Sequence, residues 1–189
     1  YSLKNRISKP YQNFGDVWDI VKMDTEILFR TSKNIYSYKD TIKMLDEGQN
    51  FSFLGQVQNS VLYQDLSNGL HKHKENQSVL IANDSLFKSF EIKGIISLNN
   101  QMLIATHKNG IFQYKNQKLN HWKINDYGEI KEHRINCLIR INPEKIAIGT
   151  SSGGLFILDN NGRVLYHFDV KKGLQSNDVL EVFNDANGN

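Results

Sequence analysis

The stretch GTSSGGLFILDNNGRVLYHF, Gly149–Phe168, consists of two short apolar runs joined by a DNNG turn. Taken from three residues earlier, as IAIGTSSGGLF (146–156), it matches MLIATHKNGIF (102–112) and VLYQDLSNGLH (61–71) without a gap. ILFRTSKNIY (27–36) also matches after one residue is dropped. Recurrence at a fixed period is the signature of a repeat architecture. The opening stretch is therefore one unit of a repeat.

The spacing of one glycine sets the period of the repeat. Gly69, Gly110 and Gly154 are 41 and 44 residues apart, and Asn34 precedes Gly69 by 35. A tight connection between antiparallel strands often needs one residue at positive φ, which glycine adopts without strain and asparagine tolerates. We expect Asn34 to replace the glycine in the first unit.

Each unit has room for four strands. An apolar run precedes the matching pair, a more polar run follows it, and turn residues such as NN, NPEK and DNNG separate the runs. The first run is the most apolar, which indicates a strand near a central axis. Four antiparallel strands in about 40–45 residues make a propeller blade. The sequence predicts an all-β fold of about four four-stranded antiparallel blades, at 15–46, 50–82, 93–124 and 134–168.

Both ends of the chain carry fragments of the same pattern. A fifth copy begins in GLQSNDVLEVFNDANGN, 173–189, with Val179–Phe183 as its first strand, and YSLKNRIS, 1–8, fits the last strand of a preceding blade. The chain starts with Tyr1 rather than methionine. We interpret residues 1–189 as one propeller segment with partial blades at both ends, cut from a longer polypeptide and belonging to a larger, seven-bladed propeller.

Composition disfavours several classes of function. The net charge of +3 comes from 23 basic and 20 acidic residues without a basic block, so we expect no direct nucleic acid contact. No run of 18 apolar residues occurs, so a membrane would be reached only through parts outside this chain. The lone Cys137 lies in the apolar run INCLI and is predicted to be a buried, inert thiol.

No pattern of residues indicates catalysis, a metal or a cofactor. Paired carboxylates, a phosphate-binding loop and a nucleophile elbow are all missing from the sequence. His71 and His73 share one strand face, but a metal site needs a third ligand, and an exposed face explains them equally well. Asp159–Gly162 has the character of a turn rather than a calcium loop. We expect no catalytic residue, no metal and no cofactor in this segment; a propeller lyase or glycosidase, with its catalytic residues outside this chain, is the alternative.

The motifs of the second half resemble the two-component-regulator propeller repeat. Its form G-L-x-x-N-x-V, D-x-x-G-N and G-T-x-x-G-L corresponds to the following positions: Gly173, Leu174, Asn177 and Val179, then Asp185, Gly188 and Asn189, with Gly149, Thr150, Gly153 and Leu155 in the blade before. The last motif carries one extra glycine, Gly154, which leaves two adjacent glycines for the single position of the repeat. The resemblance covers about 94–189 well. It is weaker over 17–82, where the Gly-Thr pair becomes Arg30-Thr31 or Gln64-Asp65.

Proteins with this repeat are membrane-anchored bacterial regulators, common in Bacteroidetes. Their propellers lie in the periplasm and are followed by a triple-tyrosine β-sandwich, a membrane helix, and a histidine kinase or LuxR-type DNA-binding output. The resemblance implies a periplasmic sensor or scaffold for signal transduction and transcription regulation, with an unknown signal ligand, a carbohydrate being one candidate, or a protein partner. A homodimer is a further expectation, and a protein-interaction propeller without a small ligand is the alternative function.

The lengths of the connections favour one face of the propeller for binding. The first-to-second and third-to-fourth strand turns are tight, whereas the links between blades, at 83–93, 125–134 and 169–178, are long. They share their face with the T-x-x-G turns, and long loops on a rigid scaffold often carry recognition. Phe87, Phe90 and Gln175 lie on these links, and we expect the aromatic side chains there to be exposed beside polar groups, which suits a sugar or a partner protein. We predict ligand contacts from Thr106, His107, Lys108, Tyr127, His133, Arg134, Thr150 and Ser151. Alternatively, the loops only cover the end of the propeller; Trp18 and Trp122 are expected to pack in the core or between blades.

Overall fold

The computed structural model describes residues 15–74, 77–125 and 130–185. Within those ranges, sixteen strands form four separate antiparallel sheets of four strands each. In every sheet the strands follow one another in sequence order, so each sheet is a simple meander. The predicted all-β fold of four four-stranded antiparallel blades is confirmed.

The chain divides into two compact units between Glu91 and Ile92. The first unit holds two blades. Their strands are β1 (Asp19–Met23), β2 (Glu26–Arg30), β3 (Asn34–Tyr38) and β4 (Ile42–Glu47), then β5 (Phe51–Val57), β6 (Ser60–Asp65), β7 (Gly69–Lys74) and β8 (Gln77–Ala82). A five-residue helix, α1 (Ser85–Ser89), follows the second blade.

The second unit holds the other two blades. Their strands are β9 (Ile92–Leu98), β10 (Gln101–Thr106), β11 (Gly110–Lys115) and β12 (Lys118–His121), then β13 (Ile135–Asn142), β14 (Lys145–Thr150), β15 (Leu155–Asp159) and β16 (Val164–Phe168). A single 3₁₀ turn at Val170–Lys172 follows β16. The turns of the four matching stretches, which read TSKN, DLSNG, THKNG and TSSGG, lie between the second and third strand of each blade.

In the third and fourth blades the threonine that begins the turn also closes it. The Thr106 hydroxyl donates to the Gly110 carbonyl over 2.9 Å and accepts from the Asn109 amide over 3.1 Å. Thr150 repeats both bonds, donating to the carbonyl of Gly154 over 2.9 Å and accepting from the amide of Gly153 over 3.0 Å. Gly154, at φ +85°, is therefore the equivalent of Gly110, which resolves the register between the two adjacent glycines.

The first blade closes the same turn without a left-handed residue. The Thr31 hydroxyl accepts from the Asn34 amide over 3.0 Å, but Asn34 is not among the described residues with positive φ. The expectation that Asn34 takes the conformation of the glycine is therefore wrong. This turn is one residue shorter, so β3 begins directly at Asn34 and no reversal to positive φ is needed.

In the second and fourth blades, burial is greatest on the second strand rather than the first. In β6 and β14, five of the six residues are buried, whereas β1 is half-buried or exposed along its whole length. The second strand has hydrogen-bonded neighbours on both sides and packed side chains on both faces, so it loses most contact with water. High apolar content in the first run therefore does not by itself make the first strand the most buried one.

Two side chains near strand ends differ in how well they follow prediction. Trp18 is 65% exposed and precedes β1, so its predicted packing is wrong for the described part of the chain. Trp122 packs against the core of the second unit as expected.

Cys137 is 2% exposed, and burial raises the pKa of its thiol to about 11, which confirms the buried, unreactive thiol.

The start of the predicted fifth blade lies against the fourth. The Val179 amide donates to the Thr150 carbonyl over 2.9 Å, and the Asn136 side-chain amide donates to the Asp178 carboxylate over 2.9 Å. Residues 179–183 form no ladder with any described strand, so the expected strand there is not observed. The predicted strand at 1–8 and the final turn at 186–189 lie outside the described residues.

Polar side chains stand where the repeat loses its Gly-Thr pair. In the first blade, the Arg30 guanidinium pairs with the Asp19 carboxylate at 2.5 Å and donates to the Phe51 carbonyl on β5 at 2.6 Å. In the second, the fully buried Gln64 amide donates to the carbonyls of Phe87 and Phe90, 2.9 and 2.8 Å away. Each side chain therefore reaches from the end of the second strand to the segment that follows its own blade.

In the fourth blade the same position is Gly149, and close backbone approach replaces the polar bridge. A Cβ there would lie 2.6 Å from the Cys137 sulfur and 2.8 Å from a Val179 methyl. Glycine thus lets the chain after the blade approach β14 directly, whereas Arg30 and Gln64 reach the following segment with side-chain hydrogen bonds. The departures from the repeat are compensated substitutions.

Candidate functional site

Backbone hydrogen bonds bring three segments of the second unit together. The Ile135 amide donates to the His107 carbonyl over 3.1 Å, and the Ser151 amide donates to the Arg134 carbonyl over 2.9 Å. The β10–β11 turn, the loop before β13 and the β14–β15 turn are thereby held side by side. We call this surface, formed by His107, Lys108, His133, Arg134, Ser151 and Ser152, the turn surface.

The His133 ring is fixed against the fourth blade. Its Nδ1 lies 2.8 Å from the Ser152 hydroxyl, and a Cβ on Gly153 would come within 2.1 Å of the ring. Glycine at this position leaves the space that the flat imidazole occupies. His133 is therefore a positioned side chain on the turn surface.

His107 and His167 are held from neighbouring segments. The Nδ1 of His107 lies 3.0 Å from the Ile135 carbonyl. His167 stacks on Phe156 with ring centroids 4.2 Å apart and places Nε2 2.7 Å from the Gly153 carbonyl. The same cross-strand pairing recurs in the third blade, where the ring centroids of His121 and Phe112 are 4.2 Å apart. Sequence reasoning missed this Phe–His pair, although its repetition in two units was a visible signal.

The predicted site residues fall into three groups. The exposed side chains of Lys108 and Arg134 and the half-buried His107, His133 and Ser151 lie on the turn surface. Thr106 and Thr150 are fully buried, and their hydroxyls are committed to the turns. Tyr127 lies outside the described residues. The geometry thus brings five predicted residues together on one surface. The two threonines instead hold the turns closed with their hydroxyl groups.

The aromatic side chains expected near a binding surface are less accessible than the sequence indicated. Phe87 is fully buried on α1, because the long connection after the second blade folds as a helical turn whose backbone carbonyls receive Gln64. The expectation of an exposed Phe87 is therefore wrong. Phe90 is partly buried, and Gln175 is exposed on the connection after the fourth blade.

The His71–His73 pair belongs to the interior of the first unit. Both side chains are 6% exposed, so the exposed strand face considered for them is wrong. His71 stacks on Tyr63 and its Nδ1 lies 2.9 Å from the Ser78 hydroxyl, while His73 Nε2 lies 3.7 Å from the Glu26 carboxylate. No group of three metal-ligating side chains occurs within the described ranges.

We expect the first unit to lose stability as the pH falls below about 6.5. Burial lowers the pKa of His71 from its ordinary value of 6.5, against the opposing charges of Asp46 and Asp65. Below this pH His71 is protonated in the unfolded chain but stays neutral in the folded one, so proton binding favours the unfolded state. Urea midpoints at about pH 7.5 and about pH 5.5 measure the change. His71→Phe, which keeps the stacking on Tyr63, should reduce the pH dependence; an unchanged dependence would contradict the assignment to His71.

The Asp159–Gly162 segment is the turn that the sequence predicted. The Asp159 carboxylate accepts from the amides of Asn161 and Arg163 over 2.9 and 3.0 Å, and Gly162 has φ +80°. Carboxylate oxygens used in this way organise the hairpin between β15 and β16.

Comparison with solved structures identifies the fold. The chain is similar to the extracellular domain of BT4673 from B. thetaiotaomicron, described as a one-component or hybrid two-component system, with a TM-score of 0.66 and 15% identity over 90% of this chain. The fold is that of a β-propeller. The WD40 β-propeller domain of Doa1 is also similar, with a TM-score of 0.60 and 16% identity over 86% of this chain and 56% of that one. The resemblance to sensor propellers is thus confirmed at the level of fold.

A third structure with a similar fold comes from a different bacterial system. PorZ, an essential surface component of the type-IX secretion system of Porphyromonas gingivalis, matches with a TM-score of 0.61 and 12% identity over 88% of this chain and 29% of PorZ. The chain spans 25% of the BT4673 domain. No family model matches the sequence, and no curated protein matches it either. Among the described residues, no helix has the length and apolar character to cross a membrane.

Proposed function

We propose that this chain is part of the extracytoplasmic, periplasmic sensing propeller of a membrane-anchored bacterial signal-transduction regulator. The observation that carries the proposal is the shared fold with the extracellular domain of BT4673, together with the repeated stretches at 61–71, 102–112 and 146–156 of the sequence. In this proposal the segment recognises a signal and performs no chemistry. Its output would come from other parts of the regulator.

The turn surface is the proposed recognition site. Backbone bonds fix the three segments that form it, so its side chains are presented with little freedom to be lost on binding. Lys108 and Arg134 are exposed cations, and no hydrogen bond or ion pair within the described ranges occupies their side-chain nitrogens. The neighbouring His107 and His133 can donate or accept hydrogen bonds. This combination favours an anionic ligand, such as an acidic carbohydrate, or an acidic segment of a partner protein.

We expect the double substitution His133→Ala and Arg134→Ala to abolish the signal response of the full-length regulator. The measurement is signal-dependent reporter transcription, with the amount of protein in the membrane fraction determined in parallel. Lys115→Ala with Lys118→Ala is the matched control, because these side chains lie at the β11–β12 turn, away from the turn surface. A full response at normal abundance from the His133/Arg134 variant would contradict the proposed site.

A separate binding measurement tests the preferred ligand charge. The purified chain should bind to a resin that carries the acidic polysaccharide polygalacturonate. It should elute as the salt concentration is raised, since exposed ionic contacts are screened. Equal retention of the chain on a resin that carries a neutral glucan would contradict the preference for an anionic ligand and would favour a neutral sugar. Loss of retention in the control variant would show that the contact is non-specific.

A further inference from the structure

A polar cavity lies at one end of the first blade, far along the sheet from Arg30. It is open to solvent, has a volume of about 300 Å³ and is lined by nine residues of that blade: Met23, Asp24, Thr25, Glu26, Ser37, Lys39, Asp40, Thr41 and Lys43. The volume is at the lower end of the range for small-molecule sites, about 300–1,000 Å³, so it suits one small molecule rather than a polymer.

Two turns and a small side chain create the cavity. The β1–β2 connection is only Asp24 and Thr25, because Met23 pairs directly with Glu26, and Asp24 takes φ +52° to complete it. The β3–β4 connection forms the other wall. Between them lies Ser37, which faces Leu28 and Lys43 across the sheet and is 4% exposed. A serine here leaves space that a larger side chain would fill.

The cavity carries charges of both signs that do not neutralise each other. Its carboxylates belong to Asp24, Glu26 and Asp40, and its ammonium groups to Lys39 and Lys43. In the part of the chain that the structure describes, no hydrogen bond or ion pair joins these lysines to these carboxylates. The hydroxyls of Thr25, Ser37 and Thr41 add neutral donors and acceptors. A ligand with a single charge would gain attraction from one set and repulsion from the other.

Glu26 is the most constrained of these charges. Its side chain is 20% exposed, and its contact with His73 Nε2, at 3.7 Å, is longer than a hydrogen bond. A largely desolvated carboxylate gains most from a close donor, because burial has already removed much of its water. Glu26 and Lys43 lie on the same sheet face and both line the cavity; Glu26 is two residues from Leu28, which pairs with Ser37, and Lys43 pairs with Ser37 from the other side. They can therefore receive the cationic and anionic ends of one ligand.

We propose that this cavity binds a small zwitterion of the α-amino acid class, with Glu26 receiving the ligand ammonium and Lys43 its carboxylate. The hydroxyls of Ser37 and Thr41 complete the contacts. No aromatic ring lines the cavity, so the stacking surface that sugars commonly use is missing from its described walls. This site is separate from the turn surface, and the proposal does not depend on the function assigned there.

The test is a titration of the isotope-labelled 189-residue chain followed by amide NMR shifts. The probes are L-alanine, L-glutamate and L-lysine, with acetate, methylamine and D-galactose for comparison. We expect at least one amino acid to give saturable shifts confined to residues 23–26 and 37–43, and the singly charged probes to give none. The double substitution Glu26→Gln with Lys43→Ala should raise the dissociation constant of the bound amino acid about tenfold or more, since two charge-assisted contacts are removed.

The control variant is Lys33→Ala, an exposed lysine at the β2–β3 turn outside the cavity, which should bind as the parent chain does. Saturation by D-galactose instead of the amino acids would overturn the ligand class. Equal shifts with acetate or methylamine would overturn the requirement for both charges, and the absence of saturable shifts with all six probes would overturn the site.

Discussion

Replacement of Arg30 by methionine is expected to lower the free energy of unfolding of the first unit by roughly 3 kcal/mol. The guanidinium is buried, bonded to the Asp19 carboxylate, and donates to the Phe51 carbonyl of the next blade. Methionine keeps most of the apolar volume but leaves both acceptors without this donor. The expected loss is at the low end for a buried pair because the Asp19 side chain is 32% exposed and can recover water.

Hydrogen exchange measured by mass spectrometry locates the effect of this substitution. Peptides from β2 and β5 should exchange faster in Arg30→Met, whereas peptides from β14 should exchange at the parent rate. Lys33→Met is the matched control, since that side chain is exposed three residues away. Arg30→Lys should fall between the two, because one ammonium can replace only part of the guanidinium geometry. Parent-like protection of β5 in Arg30→Met would show that the bridge between blades is dispensable.

Gly154→Ala is expected to destabilise the second unit by about 3 kcal/mol or more, which combines backbone strain with a steric clash. Gly154 has φ +85°, and a Cβ added there would lie 2.0 Å from the Phe168 carbonyl oxygen. The contact can be relieved only by moving β16 away from β15. The urea midpoint of unfolding measures the loss.

Gly173→Ala separates the two contributions to that loss. Gly173 also has a positive φ, +104°, but an added Cβ would meet nothing within 4 Å. We therefore expect Gly173→Ala to cost only the backbone term, about 1–2 kcal/mol. Equal losses for the two alanine variants would show that the close approach at Phe168 is accommodated without moving the strand.

The blades could be predicted because their signals are local and repeated. The Thr and Gly of each turn perform the same bond at Thr106 and Thr150, so the chemistry recurs at the period of the sequence. Paired asparagines at Asn99 and Asn100 likewise supply the two positive φ values that a two-residue hairpin requires. Such features depend on neighbours a few residues away.

The contacts between blades could not be predicted from the same signals. Whether Arg30 meets a carbonyl or water depends on the path of β5, some twenty residues later in the chain. The burial of Phe87 and of His71 likewise follows from tertiary packing, which alternation along a strand does not encode. The convergence of His107 with Arg134 was expected from the connection lengths, but the Ser152 and Gly153 support of the His133 ring was not.

The threonine hydrogen bonds that close the turns use different residues from those whose side chains the turns expose. In the third blade the locking atoms belong to Thr106, Asn109 and Gly110, while His107 and Lys108 between them direct their side chains outside that bond network. In the fourth blade Ser151 and Ser152 hold the corresponding positions. Closure of each turn therefore does not depend on its two interior side chains. A combinatorial library limited to them would vary the displayed groups while the turn bonds stay in place, with Ser152 kept wherever the His133 ring is to remain supported.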